Sequence, residues 1–350
     1  MKKILHINTN MVWRGGEQQV YYIINHQSSQ YQHFLFCREN SELYHRNKSI
    51  TTTTFTMRFG IDITPVFSLL KICKKNEIDI IHVHDSKALT LYIFATFLGL
   101  KIPVVVHRRV NFPITNKYKY KHQKIKKIIC LSDAVSKNFD NIVPKNKIVC
   151  IPPAIDINKY NGEKNNRLKE ELQLNEQSKI IGIVAAIEKE KNIEGFIQIA
   201  NLLLSSNDEL HFVIIGDGSL FNEYQKKYSN NNIHFLGFRN NIAQLLSAFD
   251  VFVFSSINEG FGQILLEAMA LGVPIVCNNF PVAKEIIQSG KNGFIYTSTQ
   301  EAVEQINNIL NNTNQQEEII ATSKKYVQQF DVTLINKKIE QVYQSILNNE

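Results

Sequence analysis

Short apolar runs separated by longer amphipathic stretches repeat along this chain, and that alternation constrains its fold more than any other feature. An apolar run of four to eight residues bounded by turn residues reads as a strand buried on both faces, and strands alternating with helices close into parallel sheets. In the first half, strands are expected at KILHIN (3–8), HFLFC (33–37), IIHVH (80–84), PVVVH (103–107), KIIC (127–130) and KIVCI (147–151), with helices at 17–27 and 66–76 between them. The pattern then restarts with KIIGIVAA (179–186), HFVIIG (211–216), IHFLG (233–237), VFVFSS (251–256) and PIVCN (274–278). The expectation is α/β, with two doubly wound Rossmann-like domains.

Length agrees, because 350 residues exceed what one core usually organises. The segment PPAIDINKYNGEK from Pro152, with its Pro pair, Asn and Gly, is expected to be an irregular interdomain linker. Predicted boundaries are therefore 1–152 and 153–330, with 331–350 a closing helix that packs back toward the N-terminal domain. Open α/β sheets bind ligands at the carboxyl ends of their strands, so two facing sheets imply an interdomain cleft.

Composition removes several function classes. The five cysteines are scattered, with no CxxC pair, which argues against both a disulfide framework and a structural zinc site. The start, MKKILHINTN, turns polar too early for a signal peptide, and the most apolar stretch, residues 88–100, is shorter than a membrane span. A cytoplasmic protein is expected. Charge is divided unevenly: residues 1–150 carry 23 Lys and Arg against 9 Asp and Glu, and the remainder 16 against 23. Such a basic front half suits an anionic partner, and KYKYKHQKIKK (117–127) interleaves Tyr118, Tyr120 and Ile125 with lysines as a membrane-surface segment would. A solvated helix face is the plainer reading of the same stretch.

The richest chemistry lies in SSINEGFGQILLEAMALGVPIV (255–276). A strand, a turn at Gly260-Phe261-Gly262 and a helix from Gln263 to Leu271 follow one another, and the unpaired amides of such a helix start suit a diphosphate. Glu259 precedes the turn and Glu267 lies eight residues on, about 12 Å if all eight were helical. Glycosidase carboxylates face each other across a bond at roughly 5 to 9.5 Å, so this pair fits hydrolysis poorly. Carboxylates flanking a diphosphate suit the hydroxyls of a sugar on one side and a ribose on the other.

With EGFGQILLE, EAMALGVPIV, SGKNGFIY, WRGGEQQV, DIIHVHDSKA, LSDAVSKNF, IPPAID and VIIGDGSL in order, the chain resembles the retaining GT-B glycosyltransferases of family 4 (glycosyl transferases group 1) along nearly its whole length. The resemblance implies the GT-B fold and the following roles. Glu259 contacts the donor sugar, the amides of Phe261 and Gly262 meet the diphosphate, and Glu267 binds the ribose. Gly15 and Gly16 let a loop of the N-terminal domain approach the diphosphate, Lys191 neutralises the leaving phosphate, and Arg239 borders the base. His107 takes the family's active-site histidine position, with Arg109 the alternative placement. Where the family has a second diphosphate cation the chain has Ala186, with Arg14, Arg108 and Arg109 the candidate substitutes, and Pro281-Val282 replaces a glycine pair while Glu285 stays.

The implied activity is metal-independent transfer of a sugar, with retention, from a nucleotide-diphosphate sugar to a saccharide or lipid-linked acceptor, in bacterial lipopolysaccharide, O-antigen or capsule synthesis. No cofactor, metal or nucleic acid is expected, and the basic N-terminal domain is expected to meet an anionic membrane surface. The alternatives are a non-catalytic protein binding anionic surfaces or nucleic acid, and a nucleotide-sugar epimerase or hydrolase. GDGSLF lacks the third small residue of a dinucleotide fingerprint. His82 and His84 are expected on opposite faces of their strand and hence not to share a metal.

Overall fold

The computed structural model describes residues 1–26, 28–47, 49–57, 62–160 and 167–348. The chain divides into two compact units, Met1–Ala154 with Val332–Glu350, and Ile155–Asp331. Each is built on one parallel sheet.

In unit 1 the strands are β1 (Lys2–Asn8), β2 (Tyr31–Arg38), β3 (Thr51–Phe55), β4 (Ile80–Val83), β5 (Val104–Arg108), β6 (Ile125–Cys130) and β7 (Ile148–Cys150), in the order β3-β2-β1-β4-β5-β6-β7. Their pairings are parallel, with His6 of β1 level with His82 of β4. Alternation sends odd and even positions to different cores. Leu5, Ile7, Ile81, Val83, Val104 and Val106 pack with the helices Thr64–Asn76 and Ser86–Phe97, whereas Ile4, Ile80 and Val105 pack with the helices Gly15–Asn25 and Val332–Leu347. The last helix carries Val332, Ile335, Ile339, Val342, Tyr343 and Ile346 at helical spacing, and all are buried. Asn336 Nδ2 donates to the Tyr22 carbonyl at 2.9 Å, and the Gln19 amide bonds both the N–H and the carbonyl of Ala154.

In unit 2 the strands are β8 (Lys179–Val184), β9 (Leu210–Ile215), β10 (Ile233–Gly237), β11 (Val251–Phe254), β12 (Ile275–Asn278) and β13 (Phe294–Tyr296), ordered β10-β9-β8-β11-β12-β13 with parallel pairings. The strand order reverses between β1 and β4 in unit 1 and between β8 and β11 in unit 2, the places where open sheets bind ligands. Two strands went unread in the sequence. TTTTF is polar but β-branched and forms the edge strand β3, and FIY is a three-residue edge strand. The expected linker is partly ordered: Ile157–Tyr160 is a 3₁₀ turn, and residues 161–164 lie outside the described ones. The basic stretch 117–127 also differs from expectation. Tyr118 is 84% exposed, but Tyr120 and Ile125 are core residues, so the three do not share a surface.

Candidate functional site

In unit 2, Lys191 and Glu259 come from the loops after β8 and β11, the two strands that flank the switch point. Lys191 ends a 3₁₀ turn, Lys189–Lys191, and Asn192 follows at φ 50°, its side chain accepting from the Gly195 amide to cap the helix Ile193–Leu204. Two bonds tie the two loops together, and two more from β12 brace the second loop. Ser255 Oγ donates to the Lys191 carbonyl at 2.7 Å, the Ile257 amide donates to the Glu190 carbonyl at 3.0 Å, and Asn278 Nδ2 donates to the Ser255 and Ser256 carbonyls. The backbone thus presents Lys191 Nζ directly to the Glu259 carboxylate, and they form an ion pair with side chains 25% and 19% exposed. Such a pair is neither sealed nor fully solvated, and an incoming ligand can take either partner.

Glu259 leads into the turn before the helix Gln263–Leu271. Gly262 starts that helix at φ 87°, a left-handed conformation that favours glycine, and a Cβ there would lie 3.1 Å from both Leu265 Cδ1 and Phe254 Cζ. The Phe261 side chain anchors the turn, buried against Phe330 with ring centroids 5.8 Å apart. No side chain caps this helix, so its first amides keep the anion-binding character of a helix start. Four of the seven residues between Glu259 and Glu267 belong to the helix, so the fully helical spacing does not apply. The half-buried Glu267 carboxyl is pushed up to about 7 by desolvation, against which a hydrogen bond with Tyr160 acts. Arg239 is engaged, its guanidinium paired with Glu171 and its Nε donating to the Leu236 carbonyl. Tyr160 and Glu171 escaped the sequence reading, since only the fold brings them beside Glu267 and Arg239.

The glycines of GDGSLF serve packing. A Cβ on Gly216 would fall 1.9 Å from the Ala185 carbonyl oxygen, and one on Gly218 would fall 2.5 Å from that of Ile187. The loop after β9 therefore lies on the loop that carries Lys191, and Glu188 fixes it by accepting from the amide and hydroxyl of Ser219 at 3.0 and 2.6 Å.

In unit 1, Gly15 and Gly16 open the helix Gly15–Asn25. Glu17, 2% exposed, accepts from the Arg14 amide at 3.2 Å, Asn8 Nδ2 at 3.1 Å and Asn10 Nδ2 at 2.7 Å, and Asp85 accepts from the amide and hydroxyl of Thr9. Two carboxylates thus hold the loop that ends in the glycine pair. A Cβ on Gly16 would meet only Arg109 Cδ at an ordinary 3.7 Å, so packing within unit 1 does not demand glycine there. His107 is 5% exposed, its Nδ1 lying 3.1 Å from Arg109 Nη2. Of the arginines considered as replacements at Ala186, Arg109 is bonded to His84 and His107, Arg108 donates to the Phe112 carbonyl at 2.6 Å, and Arg14 is exposed.

His82 and His84 correct the sequence reading. Residues two apart on a strand share a face, and their ring centroids lie 4.2 Å apart. Together with His6 they form the one group among the described residues whose ring nitrogens are close enough to hold a metal ion.

Comparison with known proteins agrees with this geometry. Residues 13–159 match the model of Glycosyltransferase Family 4, and residues 164–326 that of Glycosyl transferases group 1. The chain is 30% identical over 257 residues to the UDP-Gal:alpha-D-GlcNAc-diphosphoundecaprenol alpha-1,3-galactosyltransferase of Escherichia coli, covering 67% of this chain and 66% of the relative. It is 26% identical to the capsular polysaccharide biosynthesis glycosyltransferase CapM of Staphylococcus aureus, covering 63% and 62%. The chain thus spans just under two thirds of the length of these relatives. Among solved structures, Anabaena Alr3699/HepE in complex with UDP and glucose superposes with a TM-score of 0.84 at 23% identity, covering 99% of this chain and all of that one. A glycosyltransferase from Rickettsia africae superposes at 0.87 and 18% identity, covering 100% and 99%. Through both family models and the two parallel sheets, the chain belongs to the group 1 glycosyltransferases and has the GT-B fold.

Proposed function

We propose that this protein is a retaining, metal-independent glycosyltransferase moving a sugar from a nucleoside-diphosphate donor to a saccharide or lipid-linked acceptor in bacterial surface polysaccharide assembly. The observation that carries this is the Lys191–Glu259 pair beside the uncapped helix start at Gly262. An intact nucleotide sugar suits both partners at once, since its diphosphate accepts from Lys191 while its sugar hydroxyls donate to Glu259. The amides of Phe261 and Gly262 are assigned to the diphosphate, Glu267 to the ribose, and Arg239 to the edge of the base once it shares or leaves Glu171. In unit 1, His107 is assigned a catalytic role and the Gly15-Gly16 turn close backbone approach to phosphate.

In the reaction proposed, the acceptor oxygen bonds to the anomeric carbon on the face that the diphosphate leaves. The electron pair of the breaking bond goes to the departing phosphate oxygen, which takes the acceptor proton. Lys191 stabilises the charge that grows on that oxygen, the main contribution expected of a fixed cation in such a site.

The names of the relatives support the acceptor class, the E. coli enzyme being named for a diphosphoundecaprenol substrate. We place the protein on the inner face of an anionic membrane. No helix among the described residues is long and apolar enough to cross a bilayer. Unit 1, however, exposes Phe67, Phe94, Phe97 and Leu98 on the helices Thr64–Asn76 and Ser86–Phe97 or just beyond them, among exposed Lys71, Lys74, Lys75, Lys87 and Lys101. Helices that expose apolar side chains and lysines together suit an anionic interface. The proposal is tested by screening nucleotide sugars for thermal stabilisation and then for transfer. Absence of nucleotide-diphosphate binding, or activity unaffected by Glu259→Ala and Lys191→Ala, refutes it.

A further inference from the structure

Unit 1 holds a cluster that the proposed chemistry leaves unused. Alternation along β1, β2, β4 and β5 puts His6, His33, His82 and His107 on one face, and His84 and Arg109 follow in the same register. His6, His82, His84 and His107 are all at most 5% exposed. His82 Nδ1 meets the Tyr343 hydroxyl at 2.7 Å, while His82 Nε2 is buried without a hydrogen-bond partner. His6, His82 and His84 each bring a ring nitrogen within 4.8 Å of the others, a grouping that resembles a three-histidine metal site.

Arg109 gives the cluster a different meaning. Its Nη1 donates to the His84 carbonyl at 3.1 Å, and its Nη2 lies 3.0 Å from His84 Nδ1 and 3.1 Å from His107 Nδ1. A guanidinium only donates, so both Nδ1 atoms are acceptors, and each neutral ring carries its proton on Nε2. His84 Nε2–H then donates to His6 Nδ1 at 2.9 Å. His6 is left with Nε2–H, which donates to His33 Nδ1 at 2.9 Å. One cation thereby sets the order of the whole chain, and every contact finds one donor and one acceptor. Burial favours the neutral rings, and at about 10 the Arg109 group, supported by Glu17 and Asp85, is still charged at neutral pH. A metal bound at His84 Nε2 would require the proton on Nδ1, where it would face an Arg109 N–H across 3.0 Å.

We propose that Arg109 is the internal cation of this cluster: it fixes the Nε2–H tautomer of His84, His6, His33 and His107, and so keeps a divalent transition metal out of the His6, His82 and His84 triangle. Arg109 is in this sense a positioning residue, and it restricts His107 to acting on a substrate as a donor through Nε2. That last clause rests on the catalytic role proposed for His107, whereas the tautomer order and the exclusion of metal do not.

The test uses the full chain, with and without Arg109→Met, which removes the donors while keeping an extended side chain. Selective ¹⁵N-histidine NMR of the native protein at pH 7.5 should show these four rings as Nε2–H tautomers, and titration with Zn²⁺ or Ni²⁺ should show no ion bound to the cluster. Arg109→Met should scramble the tautomers and bind one ion at least about 100-fold more tightly than the detection limit set by native protein, the scale on which outer-shell partners act, and His84→Ala added to it should abolish that site. Native protein that binds Zn²⁺ in a manner lost in His84→Ala, or that shows Nδ1–H on His84 or His6, overturns the proposal. So does a folded Arg109→Met protein that binds no metal. If that variant does not fold, the native spectrum and native titration decide. None of these readings depends on nucleotide binding, so failure of the glycosyltransferase reading stays separately visible.

Discussion

Acidification to pH 5 should unfold unit 1 while the carboxylates of an ordinary protein are still mostly ionised. Desolvation holds His6, His82, His84 and His107 well below the usual imidazole range, with Arg109 and neighbouring imidazoles adding to the effect, and burial holds His33 at about 4. In the unfolded chain the same side chains titrate near 6.5. Below that value the unfolded state binds more protons than the folded one, so stability is present above about pH 6.5 and is lost as pH falls. A ring that stays neutral in the fold costs about 2 kcal/mol between pH 7 and 5, and the set approaches about 10 kcal/mol. A domain's whole stability is about 5 to 15 kcal/mol.

Trp13 is the single tryptophan and belongs to unit 1, packed on Tyr21 with Arg46 over its ring, so its fluorescence reports this unit selectively. With a urea slope of at most about 3 kcal/mol per molar, loss of only half the calculated stability moves the midpoint down by at least about 1.5 M. Urea melts followed by Trp13 at pH 7.5, 6.5, 5.8 and 5.0 should show that displacement beginning below pH 6.5. A midpoint equal at 7.5 and 5.0 would mean that the rings are solvated or already charged in the fold, and the account of the cluster would fall with it.

Lys191→Ala should lower kcat by about 100- to 1,000-fold, the usual effect of removing a group that stabilises charge in a transition state, with a smaller change in KM. Glu259→Gln should tighten binding of a nucleoside diphosphate lacking sugar, because Lys191 is then not held back, yet weaken the intact nucleotide sugar; calorimetry on both ligands checks the opposite signs. Since the Glu267 carboxyl lies at about 7, nucleotide affinity should fall as pH drops through 7, by up to about fivefold between pH 7 and pH 6, and Glu267→Gln should flatten that dependence. Gly262→Ala should destabilise unit 2 by about 1 to 3 kcal/mol in urea melts, because a Cβ is strained at φ 87° and crowds Leu265 and Phe254.

Most of both sheets was legible in the sequence because buried parallel strands are written as uninterrupted apolar runs, as in VFVF and IIHV. The edge strand TTTTF was not, because at the rim of a sheet propensity survives without hydrophobicity. The glycine turn and the helix Gln263–Leu271 were legible because φ restrictions and capping leave a fixed pattern of residue types. Engagements of distant residues were not: nothing near Arg239 in sequence announces Glu171, 68 positions away, and nothing announces that Tyr160 reaches Glu267. The histidine cluster was legible in principle. Applying a period of two to 82 and 84, and then carrying the register across the pairing of His6 with His82, puts three imidazoles on one face.

The same doubly wound plan appears twice in this chain, and the cation beside each switch point shows how the copies differ in chemical capacity. In unit 1, Arg109 is sunk among neutral imidazoles and spends its donors on the His84 carbonyl and two ring nitrogens. Freeing it to meet an anion would break the ordering of those rings and leave buried acceptors unpaired, a cost of about 1 to 3 kcal/mol for each. In unit 2, Lys191 is a quarter exposed and pairs with a carboxylate that is itself reachable by solvent. Fully exposed pairs are worth about 1 kcal/mol or less, and in a pair that solvent still reaches the exchange of Glu259 for a doubly charged diphosphate costs far less than breaking the bonds of Arg109. In the proposed reaction Lys191 must release its partner once per turnover, and it lies where release is cheap, whereas Arg109, with its fixed donors, lies where order is needed. On that ground the proposal assigns the donor to unit 2, and Arg109 in its present arrangement does not supply the second diphosphate cation that Ala186 lacks.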